Sequence, residues 1–135
     1  MIVVDTNIVA YLLLPGRYTE EARATLTRDP AWAAPVLWRS ELRNVLAVYL
    51  RQKHLSLAKA QEVQETAELV LAGREYSVDS RDVLDLAHES GRSAYDCEFV
   101  AVATALGVEL VTSDQRLAGS FPRVAVGLQE FAAGR

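Results

Sequence analysis

The first thirteen residues, MIVVDTNIVAYLL (1–13), contain the pattern that decides the fold. The β-branched run Ile2–Val4 is typical of a short strand buried on both faces, as inside a parallel sheet. The apolar positions of Asn7–Leu14 then predict a short helix that ends before Pro15. Asp5 therefore stands where a buried strand ends and a helix begins. It is either a helix N-cap or a group at the sheet edge where open α/β folds bind ligands.

The rest of the chain alternates short apolar runs with amphipathic segments. Further strands are expected at Trp32–Ala34, Tyr76–Val78, Val108–Val111 and Val124–Val126, with helices at Thr19–Arg28, Pro35–Lys53, Leu57–Leu71, Arg81–Glu89, Ala94–Leu106 and Ser113–Leu117. This alternation predicts an α/β fold, a small parallel sheet flanked by helices. Because the helical share is high for so small a sheet, we expect the helical hairpin formed by residues 35–71 to project partly from it.

Composition limits the classes of protein that the chain can represent. Its 135 residues, 50% hydrophobic and 24% charged, predict one domain over residues 1–135 with a sizeable core. The net charge of −4 argues against non-specific coating of nucleic acid. A single cysteine, Cys97, excludes an intrachain disulfide and favours a cytoplasmic location. No apolar run approaches the roughly 20 residues of a membrane span, and the N-terminal run lacks the basic segment of a signal peptide.

Two acidic residues follow predicted strands directly. Asp5 comes after Ile2–Val4, and Asp114 comes two residues after Val108–Val111. If both strands are parallel, the two carboxylates emerge at the same edge of the sheet. Each also has a simple structural explanation as an N-cap, and that explanation stays open for either residue alone. If Asp5 binds a ligand, Thr6 or Asn7 is left to cap the helix.

Two more acidic residues lie on predicted helices, on faces that point to the core. Asp96 follows the cap Ser93 in the spacing of a capping box, yet it shares a helical stripe with Val100 and Ala103. Glu41 shares a stripe with Trp38, Val45 and Val48 and lies past the first turn of the predicted helix. An ion pair with Arg39 or Arg43 is the structural alternative for Glu41.

Taken together, the four carboxylates predict a metal site. Converging acids raise one another's pKa unless a cation lies among them. A cluster of oxygen ligands without His or Cys suits Mg²⁺ or Mn²⁺, as one ion or two. Such ions support in-line hydrolysis of phosphodiesters without a nucleophilic side chain.

Four segments of the chain, in this order, closely resemble the PIN-domain ribonucleases, in particular the VapC-type toxins of prokaryotic toxin–antitoxin modules. They are VVDTNIVAYLL (3–13), WRSELRNVL (38–46), SAYDCEFVAVATALGVELVTSD (93–114) and QRL (115–117). The resemblance implies a PIN-like fold and a metal-dependent endoribonuclease that is the toxin of such a pair. It also implies an RNA substrate, a cognate antitoxin protein and a homodimer.

The resemblance also assigns roles to individual residues. It puts Asp5, Glu41, Asp96 and Asp114 on the family's catalytic, metal-binding acidic quartet. Supporting roles around the metal fall to Thr6, Asn7 and Thr112. Glu98 lies about 200° round the helix from Asp96, so we favour a solvated or interface role for it over metal binding. Separately from the resemblance, proximity to the site in sequence makes five arginines candidates either for contacts with RNA phosphates or for ordinary surface residues, namely Arg17, Arg39, Arg43, Arg51 and Arg116.

Two alternative functions remain at this stage. A PIN-like domain without catalysis would serve as an RNA- or protein-binding module, although loss of part of the acidic set would then be expected. A phosphohydrolase with Asp5 as nucleophile would need a second Asp at position 7, where Asn7 stands, and a Lys late in the chain. The only lysines are Lys53 and Lys59, which disfavours that enzyme.

Overall fold

The computed structural model describes residues 1–134 and contains a five-stranded sheet in which every strand pair is parallel. The strand order across the sheet is β3-β2-β1-β4-β5. The strands are β1 Ile2–Val4, β2 Trp32–Pro35, β3 Glu75–Tyr76, β4 Leu110–Thr112 and β5 Ala125–Gly127. The predicted α/β class and parallel sheet are therefore confirmed.

The described residues also form eight helices, seven of them at or close to the predicted positions. They are α1 Thr6–Leu13, α2 Thr19–Arg28, α3 Trp38–Arg51, α4 Leu57–Val70, α5 Ser80–Ser90, α6 Ala94–Leu106, α7 Gln115–Ser120 and α8 Leu128–Ala132. Local signals set the ends of α6: the Ser93 hydroxyl accepts from the Asp96 amide at its start, and Gly107 adopts a left-handed φ of 67° at its end.

The core lies on both faces of the central strands. Every residue of β1, β2 and β4 is buried, as a parallel sheet covered by helices requires. Helix α6 packs across β1, β2 and β4, and α7 and α8 pack against β5 and β4. Helices α3 and α4 form the expected hairpin and pack chiefly against each other and against α1.

The centre of the sheet brings two chain segments to one edge. Val4 in β1 pairs with Val111 in β4, and the Asp5 amide donates to the Val111 carbonyl oxygen at 3.2 Å. Both strands end at this level, so Asp5 and the Thr112–Asp114 segment leave the sheet side by side. The carboxyl edge of the sheet is therefore where the polar residues of the two segments meet.

Several predicted boundaries were wrong. Pro35 is the last residue of β2, not the first turn of α3: it pairs with Tyr76, and a strand end tolerates its missing N–H. Strand β3 begins at Glu75 rather than Tyr76, and β4 is shifted to Leu110–Thr112. Helix α8 was not predicted, although Leu128 and Phe131, three residues apart, are both buried.

In residues 1–134, no helix combines the length and the apolar character needed to cross a bilayer.

Candidate active site

Asp5 follows β1 directly and is itself the N-cap of α1. Its two predicted roles, a helix N-cap and a group at the ligand-binding edge of the sheet, therefore do not exclude each other. Its Oδ1 accepts from the Ile8 amide at 3.2 Å. Its Oδ2 accepts from the Thr112 hydroxyl at 2.5 Å and from the Ser113 amide at 3.0 Å. Neither Thr6 nor Asn7 caps the helix. Three hydrogen bonds from two chain segments fix the orientation of this carboxylate.

Thr112 joins the two acids that follow strands. While its hydroxyl donates to Asp5, the same oxygen accepts from the Asp114 amide at 3.0 Å. Asp114 caps α7, and its Oδ1 accepts from the amides of Arg116 and Leu117 at 2.9 and 3.1 Å. Asp114 is exposed, and Thr112 is 1% exposed. The supporting hydroxyl thus lies behind the acids rather than in front of them.

Glu41 reaches the site from α3 and is held by α1. The Thr6 hydroxyl donates to Glu41 Oε1 at 2.7 Å, and Thr6 is 7% exposed. Because α3 begins at Trp38, Glu41 lies in the first turn of the helix, not past it as the sequence suggested. A negative charge is favourable there. The observed contact with Thr6, rather than helix position, is what ties Glu41 to the neighbourhood of Asp5.

Asp96 stands in the first turn of α6 on the predicted inward stripe. Val100 and Ala103, one and two turns further on, are fully buried, whereas Asp96 itself is half-buried. Its carboxylate therefore lies where the stripe meets the surface.

The four carboxylates line one cleft of about 430 Å³ at the carboxyl edge of the sheet. Thr6 and Asn7 line it as well, together with Ser40, Asn44 and Tyr95. Asn7 is exposed and makes no side-chain hydrogen bond to any of the four acids within residues 1–134. The described lining contains no Arg, Lys or His side chain, so the cleft is strongly acidic.

The acids of the cleft disturb one another's ionisation. Burial, and to a lesser degree the charge of Asp114, raises the pKa of Asp5 to about 6 against hydrogen bonds that lower it. Burial also raises the pKa of Glu41, with further contributions from the charges of Asp96 and Glu98, against the Thr6 hydrogen bond. The cleft therefore has negative charge without a compensating cation from the described protein.

Glu98 is nearer to the site than the sequence indicated. It is half-buried, burial raises its pKa, and its charge acts on Glu41. Its position on the helix alone predicted that Glu98 faces away from Asp96. The proximity depends on how α6 packs beside α3, which spacing along one helix does not reveal.

The arginines divide into two groups. The Arg39 guanidinium donates to both carboxylate oxygens of Glu75 at 2.7 Å and to Glu68 at 2.9 Å. The Arg39 side chain therefore pairs with these two acids and not with Glu41. The predicted ion pair between Glu41 and Arg39 is wrong. Arg17, Arg43, Arg51 and Arg116 are exposed and have no carboxylate within ion-pair distance in residues 1–134.

The donor set of the cleft fits a hard, hydrated divalent ion. Its polar groups include four carboxylates that repel one another, and a cation bound among them would relieve that repulsion. Within residues 1–134, however, no three Asp, Glu, His or Cys side chains are placed to hold one ion by themselves. Mg²⁺ commonly binds through one or two carboxylates and keeps several waters, so an open acidic cleft suits it better than a closed cage.

The chain belongs to the PIN domain family, whose model matches residues 2–126. It is similar to a protein named Ribonuclease VapC3 from Pyrobaculum aerophilum, with 29% identity over 124 residues that cover 90% of this chain and 95% of the relative. The resemblance inferred from the four sequence segments is thereby confirmed at the level of the family.

Solved structures share the fold. The crystal structure of a protein from Pyrobaculum aerophilum matches with a TM-score of 0.78 at 21% identity, covering 98% of this chain and 93% of that protein's chain. FitAcB from Neisseria gonorrhoeae has a TM-score of 0.76 at 19% identity, covering 96% and 99%. A toxin–antitoxin complex from Klebsiella pneumoniae has a TM-score of 0.66 at 18% identity, covering 95% and 98%.

Proposed function

We propose that the protein is a ribonuclease that hydrolyses RNA phosphodiester bonds with Mg²⁺ or Mn²⁺ and acts as the toxin of a toxin–antitoxin pair. The observation that carries the proposal is the convergence of Asp5, Glu41, Asp96 and Asp114 on one cleft whose described lining offers no positive side chain. The similarity to Ribonuclease VapC3 supports RNA as the substrate. The fold shared with FitAcB and with a toxin–antitoxin complex supports an antitoxin partner.

In this proposal the four carboxylates would hold one or two divalent ions, each ion through one or two carboxylates and several waters. A bound ion lowers the pKa of a water molecule and neutralises charge on a phosphate. Thr112 and the Ser113 amide orient Asp5, and Thr6 orients Glu41, because each donates a hydrogen bond to a carboxylate oxygen. Asp114 is oriented by the α7 amides in the same way. The protein thereby fixes the ligand oxygens before metal binds.

The proposed reaction is the hydrolysis of one phosphorus–oxygen bond of the RNA backbone. Water would supply the attacking oxygen and release a proton to solvent, the phosphorus–oxygen bond to one ribose would break, and the departing ribose oxygen would take up a proton from solvent. Because water rather than a ribose 2′-hydroxyl is the proposed nucleophile, the products should lack 2′,3′-cyclic phosphates.

The test is to incubate the purified protein with cellular RNA in Mg²⁺, in Mn²⁺ and in EDTA, and to analyse the product ends. Cleavage only with metal, leaving linear phosphate ends, is expected. Cleavage that persists in EDTA, or cyclic phosphate ends, would refute metal-dependent hydrolysis. Absence of cleavage in every metal would favour the binding-module alternative.

The remaining proposals concern setting and assembly. A cytoplasmic location agrees with the lone buried Cys97. A homodimer and a bound antitoxin are proposed from the family, and size-exclusion chromatography with light scattering, on the chain alone and with the product of an adjacent gene, tests both. A monomeric chain would contradict the proposed homodimer, and failure to form a complex would contradict the proposed antitoxin partner.

A further inference from the structure

A second depression, which we call the tyrosine groove, adjoins the acidic cleft. It has a volume of about 270 Å³, and three tyrosines and an arginine stand in its wall, namely Tyr11, Tyr18, Tyr49 and Arg17. Asn7 and Val45 line both the groove and the cleft, so the two are continuous along the junction of α1 and α3.

The tyrosine groove presents ring surface and one positive charge. The rings of Tyr11 and Tyr18 are tilted by 44°, with centroids 5.0 Å apart. The Arg17 guanidinium carbon lies 5.2 Å from the Tyr18 ring centroid. Tyr49 is 36% exposed, and Arg17 is exposed with no carboxylate partner among residues 1–134. Neither the rings nor the cation is used by the acidic site.

We propose that the tyrosine groove binds one unpaired base of the RNA next to the cleaved linkage, while Arg17 contacts an adjoining phosphate. The inference rests on the proposed ribonuclease function and adds a substrate requirement to it, namely a single-stranded nucleotide on one side of the cleaved bond. It also makes Tyr49 and Arg17 determinants of substrate selection.

Two physical arguments favour a nucleotide as the occupant. Aromatic side chains beside a cation are the standard means of holding unstacked bases, because every base offers a face to stack and its phosphate offers a charge. The whole chain has a net charge of −4, so RNA gains little from non-specific attraction and local contacts must position it. Continuity through Asn7 and Val45 then puts the bound base beside the phosphate in the acidic cleft.

The experiment pairs altered substrates with altered protein. The substrate is a short RNA that the wild-type protein cleaves, prepared as a series in which each nucleotide near the cleaved bond in turn lacks its base. Values of kcat and KM with Mg²⁺ are measured for wild type, Tyr49→Ala and Arg17→Ala. Matched controls are Leu69→Ala, which removes an exposed apolar side chain on α4, and Arg123→Ala, which removes an exposed arginine before β5. Neither control residue lines the groove or the cleft.

The proposal predicts one sensitive position. Removing that base should raise KM about 5- to 100-fold for wild type, and Tyr49→Ala should cause a similar rise with the intact RNA. Combined, the two changes should cost no more than either alone. Arg17→Ala should also raise KM, whereas both controls should match wild type.

Three outcomes overturn the inference while leaving the ribonuclease intact. They are a wild-type protein indifferent to every base removal, effects of base removal and Tyr49→Ala that multiply independently, and groove variants that weaken only binding of a partner protein. A wild-type protein that cleaves no RNA would instead overturn the proposed function and this inference together.

Discussion

The Thr112 hydroxyl donates a hydrogen bond to Asp5 across 107 residues of sequence and accepts one from the Asp114 amide. This single oxygen connects the ends of β1 and β4 and sets the spacing of two carboxylates. It also offsets part of the cost of burying the negative charge of Asp5, since its hydrogen bond lowers the Asp5 pKa. The first acid of the cleft is therefore held by the protein before any ligand arrives.

Replacing Thr112 with Val should keep the shape of the buried side chain and remove its donor. We expect the pKa of Asp5 to rise further above about 6, because the hydrogen bond that lowers it is lost. The free energy of unfolding at pH 7 should fall by roughly 1–3 kcal/mol, the usual cost of leaving a charged partner unsatisfied. Chemical denaturation and carboxyl NMR titration measure the two effects. Thr112→Ser keeps the donor, and an equal loss in both variants would contradict the explanation.

The stability of the metal-free protein should depend on pH through Asp5. The folded state holds this proton with a pKa of about 6, against an ordinary value of 3.8, so raising the pH through this window removes stability. The loss amounts to at most about 3 kcal/mol. Denaturant unfolding in EDTA should show wild type losing stability relative to Asp5→Asn between about pH 4 and 6. A constant difference between the two proteins across that range would refute the assignment.

The hydrogen bond from Thr6 to Glu41 should contribute both to the stability of the fold and to RNA cleavage. Thr6→Val removes the hydroxyl that donates to Glu41, so the pKa of Glu41 should rise and stability at pH 7 should fall by about 1 kcal/mol. Because the carboxylate would also lose its fixed direction, RNA cleavage should fall by more than unfolding explains. Cleavage assays at a temperature where both proteins are folded separate the effects. Normal cleavage by Thr6→Val would show that Glu41 needs no such orientation.

Arg39 should act on stability rather than on RNA. Its guanidinium binds Glu75 through two hydrogen bonds and Glu68 through a third, and it thereby lowers the pKa of Glu75. Arg39→Ala should lower the unfolding temperature and leave kcat and KM for RNA close to wild type. Arg43→Ala, at an exposed position on the same helix, supplies the comparison in a thermal scan. A raised KM without loss of stability in Arg39→Ala would restore the RNA-contact role.

The parts of the fold that local chemistry determines were predictable from the sequence. The bounds of β1, α2 and α6 matched, because a β-branched run, a proline after the helix, and a Ser cap with a closing glycine are signals carried by neighbouring residues. The meeting of Asp5 and Asp114 at one edge followed from parallel strands, which the structure confirms. The family followed from the order of four segments.

Long-range partners were not predictable. The engagement of Arg39 by Glu75 spans 36 residues, and the contact of Thr6 with Glu41 spans 35. Each depends on how helices and strands pack, which no local pattern encodes. Glu98 illustrates the same limit, since its effect on Glu41 arises between two helices rather than along one. The tyrosine groove likewise depends on the approach of α1 to α3.

The central claim is that the acidic cleft holds the catalytic metal, and a metal titration followed by RNA cleavage tests it most directly. Wild type, Asp96→Asn and the control Asp85→Asn, whose carboxylate is exposed on α5, are titrated with Mn²⁺ while unfolding temperatures are recorded. Wild type and Asp85→Asn should gain activity and thermal stability with metal. Asp96→Asn should show neither gain, yet should unfold at or above the metal-free wild-type temperature because one repelling charge is gone. Full activity of Asp96→Asn at the same metal concentration would contradict the account.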